Sequence, residues 1–66
     1  MKLSNLTRQT IFDSIKSGRP FQKDGVEMRP LPGNLYGVRK TDWPTDILVT
    51  YHSWGNALAA FERLLG

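Results

Sequence analysis

The sequence contains no cysteine and only one histidine, His52. Without cysteine the chain has no disulfide framework, the usual staple of small secreted domains. A zinc or transition-metal site needs several histidine, cysteine or carboxylate ligands together, and here the acidic residues are scattered along the chain. We therefore expect no metal, no cofactor and a cytoplasmic location.

Long apolar runs are also missing. The longest are residues 47–49 and residues 57–61, far below the roughly 18 residues needed to cross a bilayer. Residues 1–5 lack the apolar stretch of a signal peptide. A chain of 66 residues has room for one domain. We expect residues 1–66 to form a single small basic domain that does not contact a membrane.

Residues suited to catalysis are few. The six glycines are dispersed, and none opens a helix with the spacing of a phosphate-binding loop. His52 and Ser53 are adjacent, so in a strand their side chains point to opposite faces and the histidine cannot orient the serine. His52 is explained as the end of a strand, and Ser53 as the N-cap of the helix that follows. We expect no catalytic site, and the protein is not predicted to be an enzyme.

Apolar residues recur at helical spacing over residues 7–17 and predict a first helix. Thr7 is the predicted N-cap, and Ser4 is an alternative cap that would lengthen the helix. Gly18 can adopt the left-handed conformation and Pro20 prevents continuation, so the helix is expected to end there.

Three later segments are typical of strands. Residues 26–29 alternate apolar with charged side chains, residues 35–40 follow a Pro-Gly-Asn turn, and residues 47–51 are β-branched and aromatic. Residues 21–25 are interpreted as a polar connection and residues 41–46 as a loop. The inward-facing set of the last strand is predicted to be Ile47, Val49 and Tyr51.

A second helix is predicted after a Ser53 cap, with apolar residues at steps of three and four and with Trp54 in the core. The element order is therefore α-β-β-β-α. The sequence predicts an α+β fold with a three-stranded antiparallel meander and both helices on one face.

Charge is unevenly distributed. Residues 1–40 contain eight Lys and Arg against three Asp and Glu, a net +5, and residues 41–66 contain one against three, a net −2. The total of +3 favours an anionic partner. Such a charge is also common for solubility alone, so exposed lysines and arginines have an ordinary explanation as well.

The segment Leu6-Thr7-Arg8-Gln9-Thr10-Ile11-Phe12, with Ile15-Lys16-Ser17-Gly18-Arg19-Pro20-Phe21 after it, resembles the recognition-helix segment of AlpA-type regulators and small phage excisionases. The resemblance covers residues 6–21. It implies that Arg8, Gln9 and Thr10 face base edges in a major groove and that Lys16 and Arg19 lie near phosphates. Arginine and glutamine suit bidentate contacts with purines.

A second segment, Leu31-Pro32-Gly33-Asn34-Leu35-Tyr36, is similar to part of the arm-binding domain of some phage integrases, in which a three-stranded sheet enters the major groove. This resemblance covers residues 31–36. It implies that Arg29, Arg39 and Lys40 project from the sheet. The two resemblances assign recognition to different elements, so at most one of them holds.

Two functional hypotheses follow. The first is a phage or mobile-element regulatory module that binds double-stranded DNA through its basic first half. The alternative is a phage-type inhibitor of a host protein, such as RNA polymerase or a defence complex, with Trp43 and Pro44 as anchors or with its basic side on an acidic patch. Self-association through an apolar outer surface at Ala59 and Ala60 is a further expectation. The predicted nucleic-acid contacts are Arg8, Gln9, Lys16, Arg19, Lys23, Arg29, Arg39 and Lys40.

Overall fold

In the computed structural model one helix precedes four strands along the chain and a second helix follows them. The structure describes residues 2–44 and 46–66. Met1 and Thr45, which belong to the predicted chain start and loop, lie outside the described residues. The α+β class is confirmed, and the described part of the sheet has a fourth strand beyond the predicted three. In chain order the elements are α1 (Asn5–Lys16), β1 (Phe21–Lys23), β2 (Val26–Leu31), β3 (Leu35–Lys40), β4 (Val49–Tyr51) and α2 (Trp54–Leu65).

Helix α1 begins before Thr7, the predicted N-cap, and follows the alternative cap Ser4. The Ser4 hydroxyl accepts a hydrogen bond from the Thr7 backbone N–H at 3.1 Å, so Ser4 is the N-cap and Thr7 lies inside the helix. At the other end Gly18 has a φ of 78° and donates to the Ile15 carbonyl. Gly18 therefore terminates the helix as its position predicted.

The sheet is antiparallel, with its strands in the order β1-β2-β3-β4. Strand β1 replaces the predicted polar connection because Asp24 and Gly25 both have positive φ, at 49° and 81°. Two such residues form the tight hairpin turn that returns one strand against the next. The Asp-Gly pair carried this signal in the sequence.

The core lies between the helices and one face of the sheet. Paired residues of neighbouring strands share a face, and Met28 and Val38 are paired in the register. Both are buried against Ile11 and Ile15 of α1 and Phe61 of α2. The two helices therefore cover the same face, and the opposite face of the sheet is the far face. Neither helix has the length and apolar character needed to span a membrane within the described ranges.

Strand β4 is shorter and more exposed than predicted. Ile47 and Val49 are 48% and 44% exposed, so the burial predicted for both is wrong, although Val49 pairs with the buried Val38 and therefore lies on the predicted helix side of the sheet. Ile47 instead ends a turn, because its N–H donates to the Pro44 carbonyl at 3.0 Å. Leu48 covers Gly37 on the far face, where a Cβ on Gly37 would lie 2.6 Å from Leu48 Cδ2.

Candidate nucleic-acid interface

Glu27 is a buried carboxylate on the far face, between Gln22 of β1 and Arg39 of β3, with 2% of its side chain exposed. Its Oε1 accepts from Arg39 Nε at 3.0 Å and contacts Arg29 Nε at 3.2 Å. Its Oε2 accepts from the Gln22 amide at 3.2 Å. Burial by itself would raise the pKa of Glu27, but the hydrogen bonds from Gln22 and Arg29 and the two guanidinium charges outweigh it, and the pKa is lowered. Glu27 is therefore held as an anion.

Arg39 does not project from the sheet, and that prediction is wrong. It lies directly across from Glu27 in the β2–β3 register, and only 9% of its side chain is exposed. Its Nη1 donates to the carbonyls of Lys40 and Trp43, at 2.9 and 3.1 Å. With these bonds made, Arg39 fixes the loop after β3 and is unavailable to a base edge.

The start of α1 is tied to α2 and is only partly available to a ligand. Arg8 Nη2 donates to Glu62 Oε2 at 3.2 Å, and the Leu3 N–H donates to the same oxygen at 2.7 Å. The Leu3 bond is the main cause that lowers the pKa of Glu62, and Arg8 adds to it against the opposing effect of burial. Gln9 and Thr10 are exposed, but the Gln9 amide donates to Asp13 at 2.9 Å.

Two further predicted residues, Lys23 and Lys40, lie at the end of the sheet that carries the Asp24–Gly25 turn. Both flank Val26 in the register, on the helix side, and both are half-buried. Asp24 lies 3.8 Å from the Lys23 ammonium, and Asp42 lines a depression together with Lys40. Because cations and acids alternate here, we call it the mixed end.

The opposite end of the sheet carries Lys16, Arg19 and Arg29, and we call it the cationic end. Arg29 shares a shallow depression with Gly18 and Pro20, the residues before β1 on either side of Arg19. Lys16 lines a neighbouring groove of about 190 Å³. Pro30, the residue after Arg29, lines the same groove. Three of the predicted contacts, from two separate segments, thus lie at the same end of the sheet, with Lys16 on the helix side and Arg29 on the far face.

No acid occurs in the two chain segments at the cationic end, residues 14–20 and residues 28–36, and Glu27 is the acid that contacts Arg29. Arg19 and Lys16 are exposed, and the Arg29 side chain is 52% exposed. Glu27 contacts this half-exposed arginine through Nε at 3.2 Å. The Lys16 ammonium lies 5.5 Å from the centre of the Phe12 ring, a distance at which the ring attracts the cation.

The helix ends at the cationic end contribute little net field. Helix α1 finishes here with a partial negative charge, and α2 begins here, where Trp54 contacts Tyr36 with 5.5 Å between ring centres, with a partial positive one. These two contributions oppose each other. The charged groups at this end are therefore the three side-chain cations and the Glu27 carboxylate that contacts Arg29.

The two residues predicted to anchor a host protein, Trp43 and Pro44, differ in exposure. Trp43 is half-buried and accepts from Arg39 through its carbonyl, whereas Pro44 is exposed. Their role as anchors stays a prediction. Ala60 is only 3% exposed, so the expected outer surface at Ala59 and Ala60 is reduced to Ala59.

Glu27 is the important residue that sequence reasoning missed. The alternation of residues 26–29 placed it on a solvated face, and nothing local showed that two arginines and the loop after β3 would bury it. Within residues 2–44 and 46–66, no three histidine or acidic side chains gather as metal ligands would. Searches against protein-family models, curated proteins and solved structures gave no match to the chain.

Proposed function

We propose that this protein is a small regulatory module that binds double-stranded DNA by its phosphate backbone, at the cationic end. The observation that carries the proposal is that Lys16, Arg19 and Arg29 are all exposed at the same end of the sheet, where residues 14–20 and residues 28–36 contain no acid. Phosphate contacts supply most of the sequence-independent affinity for DNA. A cytoplasmic, phage or mobile-element setting agrees with either sequence resemblance and belongs to the same proposal.

Arg29 is the central contact in this proposal. A guanidinium whose Nε is already held needs less ordering when it binds a phosphate through its remaining N–H groups. Glu27 provides that hold at 3.2 Å. Arg19 and Lys16 would contact neighbouring phosphates from the loop and from the end of α1.

The proposal assigns no base-reading residue. Arg8 and Arg39, two of the predicted base contacts, are engaged by Glu62 and Glu27, and Gln9 donates to Asp13. Phosphate contacts fix position but carry no sequence information directly. We therefore expect similar affinity for unrelated duplexes.

The test is a titration of a labelled duplex, followed by fluorescence anisotropy over a series of salt concentrations. Three phosphate contacts predict a slope of log affinity against log salt of about −3. The R19Q/R29Q variant should reduce the steepness of that slope by about two units. The K23Q/K40Q variant removes the same charge from the mixed end and should change the slope far less.

Two outcomes would contradict the proposal. Equal losses in R19Q/R29Q and K23Q/K40Q would mean that net charge, and not the cationic end, governs binding. Competition by poly-glutamate as effective as competition by DNA at equal charge would favour the alternative, an acidic patch on a host protein.

A further inference from the structure

The groove beside Lys16 lies on the helix side of the sheet, between the end of α1, the start of α2 and the β2–β3 turn. Its lining includes Phe12, Lys16, Pro30, Tyr36 and Trp54. Tyr36 faces the helices because it lies two residues before the buried Val38 on the same strand. The groove measures about 190 Å³, and a cavity of about 150 Å³ is enough for one benzene ring. There is therefore room for one six-membered ring.

Three aromatic side chains meet in the wall of this groove. The Trp54 ring makes edge contacts with the Phe12 and Tyr36 rings, with 5.3 Å and 5.5 Å between ring centres. All three side chains are half-buried, so each keeps part of its surface open to solvent. Partly open rings of this kind are surfaces on which a planar ligand can stack.

The groove also carries a positive charge beside its rings. Lys16 is exposed, and its ammonium lies 5.5 Å from the centre of the Phe12 ring. None of the described residues that line the groove is acidic, and the ion pairs formed within residues 2–44 and 46–66 do not include Lys16. A ligand that combines a flat ring with a negative charge complements this arrangement.

Asn34 adds a polar group to the lining. It lies in the β2–β3 turn with a φ of 60°, and its side chain is exposed. A side-chain amide both donates and accepts hydrogen bonds. This capacity suits the edge of a nucleic-acid base, where donors and acceptors lie side by side.

We propose that the groove binds one unpaired pyrimidine base of DNA, with an adjacent phosphate on Lys16. The inference rests on the proposed function, because Lys16 is also a phosphate contact of the cationic end. A pyrimidine is a single six-membered ring and suits the volume of the groove. The three rings favour a base over an acidic peptide, because every base has a flat π-face that stacks on aromatic side chains. The protein should therefore prefer a duplex that carries an unpaired strand.

The test compares three DNAs that share one duplex: a blunt form, a form with a short thymidine overhang, and a form with an abasic overhang of the same length. The two overhangs carry the same phosphates and differ only in their bases. Fluorescence anisotropy should show binding about tenfold tighter to the thymidine overhang than to the abasic one, which is the scale expected for one stacked base.

F12L and F21L are matched variants for the same titration. Both rings are half-buried, and of the two only Phe12 lines the groove. F12L should lose most of the tenfold gain and F21L should keep it, with urea denaturation confirming that both are folded. N34G removes the amide while glycine accepts the φ of 60°, and it should reduce the gain by about threefold.

Equal affinity for the thymidine and abasic overhangs would overturn the inference, while salt-dependent binding of the blunt duplex would leave the proposed function standing. Absence of binding to all three DNAs would remove both. An equal loss of the gain in F12L and F21L would mean that core packing, and not the groove, sets the preference. A gain that an acidic phenylalanine-containing peptide abolishes as effectively as free oligothymidine would assign the groove to a protein partner and would also overturn the inference.

Discussion

The far face and the cationic end both take their arginines from the basic first forty residues, yet they use them differently. On the far face Arg39 is 9% exposed and bonded to Glu27. At the cationic end Arg19 is exposed, and the segments around it contain no acid. Arg29 belongs to both, with its Nε on Glu27 and its side chain 52% exposed. Positive charge in the sequence is thus divided between holding the fold and meeting a partner.

The largest expected loss of stability follows from removing the Glu27 carboxylate on the far face. Glu27→Gln leaves Arg39 buried without a counter-charge, which should lower the free energy of unfolding by about 3 kcal/mol. Urea denaturation of the variant and the natural chain measures the difference. Arg29 should contribute less to this loss, because its exposed guanidinium can turn towards water.

The control for that change replaces both members of the buried pair. E27L/R39M removes the charges together and fills similar volume, so it should recover a large part of the loss. A double variant as unstable as Glu27→Gln would mean that shape at these positions, and not charge, stabilises the far face.

A smaller loss of stability is expected from removing the Glu62 carboxylate, which joins α2 to Arg8 of α1. Glu62 receives the Leu3 N–H at 2.7 Å and Arg8 at 3.2 Å, in a partly exposed site. Glu62→Gln keeps the size and one acceptor oxygen, so it should cost about 1 kcal/mol in the same urea experiment. A loss as large as that of Glu27→Gln would remove the contrast between the buried and the partly exposed acid.

The two acids also predict how stability depends on pH. Both carboxyl pKa values are lowered in the folded protein, so their contribution is fully present above the ordinary glutamate pKa of about 4.3. It is lost as pH falls below that value and through the folded-state pKa of each group. Melting temperatures measured on acidification should fall less steeply in Glu62→Gln than in the natural chain. Parallel curves would contradict the lowered pKa of Glu62.

The sequence could predict the local features of the fold. Helix spacing and caps identify α1 and α2, and the Pro-Gly-Asn turn identifies the β2–β3 hairpin, because these depend on neighbouring residues. The Glu27–Arg39 pair depends on the register between two strands and on a loop that returns over the far face. Arg19 and Arg29 come to the same end of the sheet through the pairing of β1 with β2, so the sequence could nominate both residues but could not separate them from Arg39.

The smallest effect on stability, and the sharpest separation of the two roles, is expected for Arg19. Its side chain is exposed in the loop between α1 and β1, so Arg19→Gln should change the free energy of unfolding by no more than about 0.5 kcal/mol. The same variant should make the salt dependence of DNA binding shallower by about one unit of slope, because one phosphate contact is lost. Urea denaturation and the anisotropy titration measure the two quantities on one protein sample. If Arg19→Gln destabilised the fold while leaving the salt slope unchanged, Arg19 would belong with Arg39 among the cations that hold the structure, and the cationic end would lose its functional role.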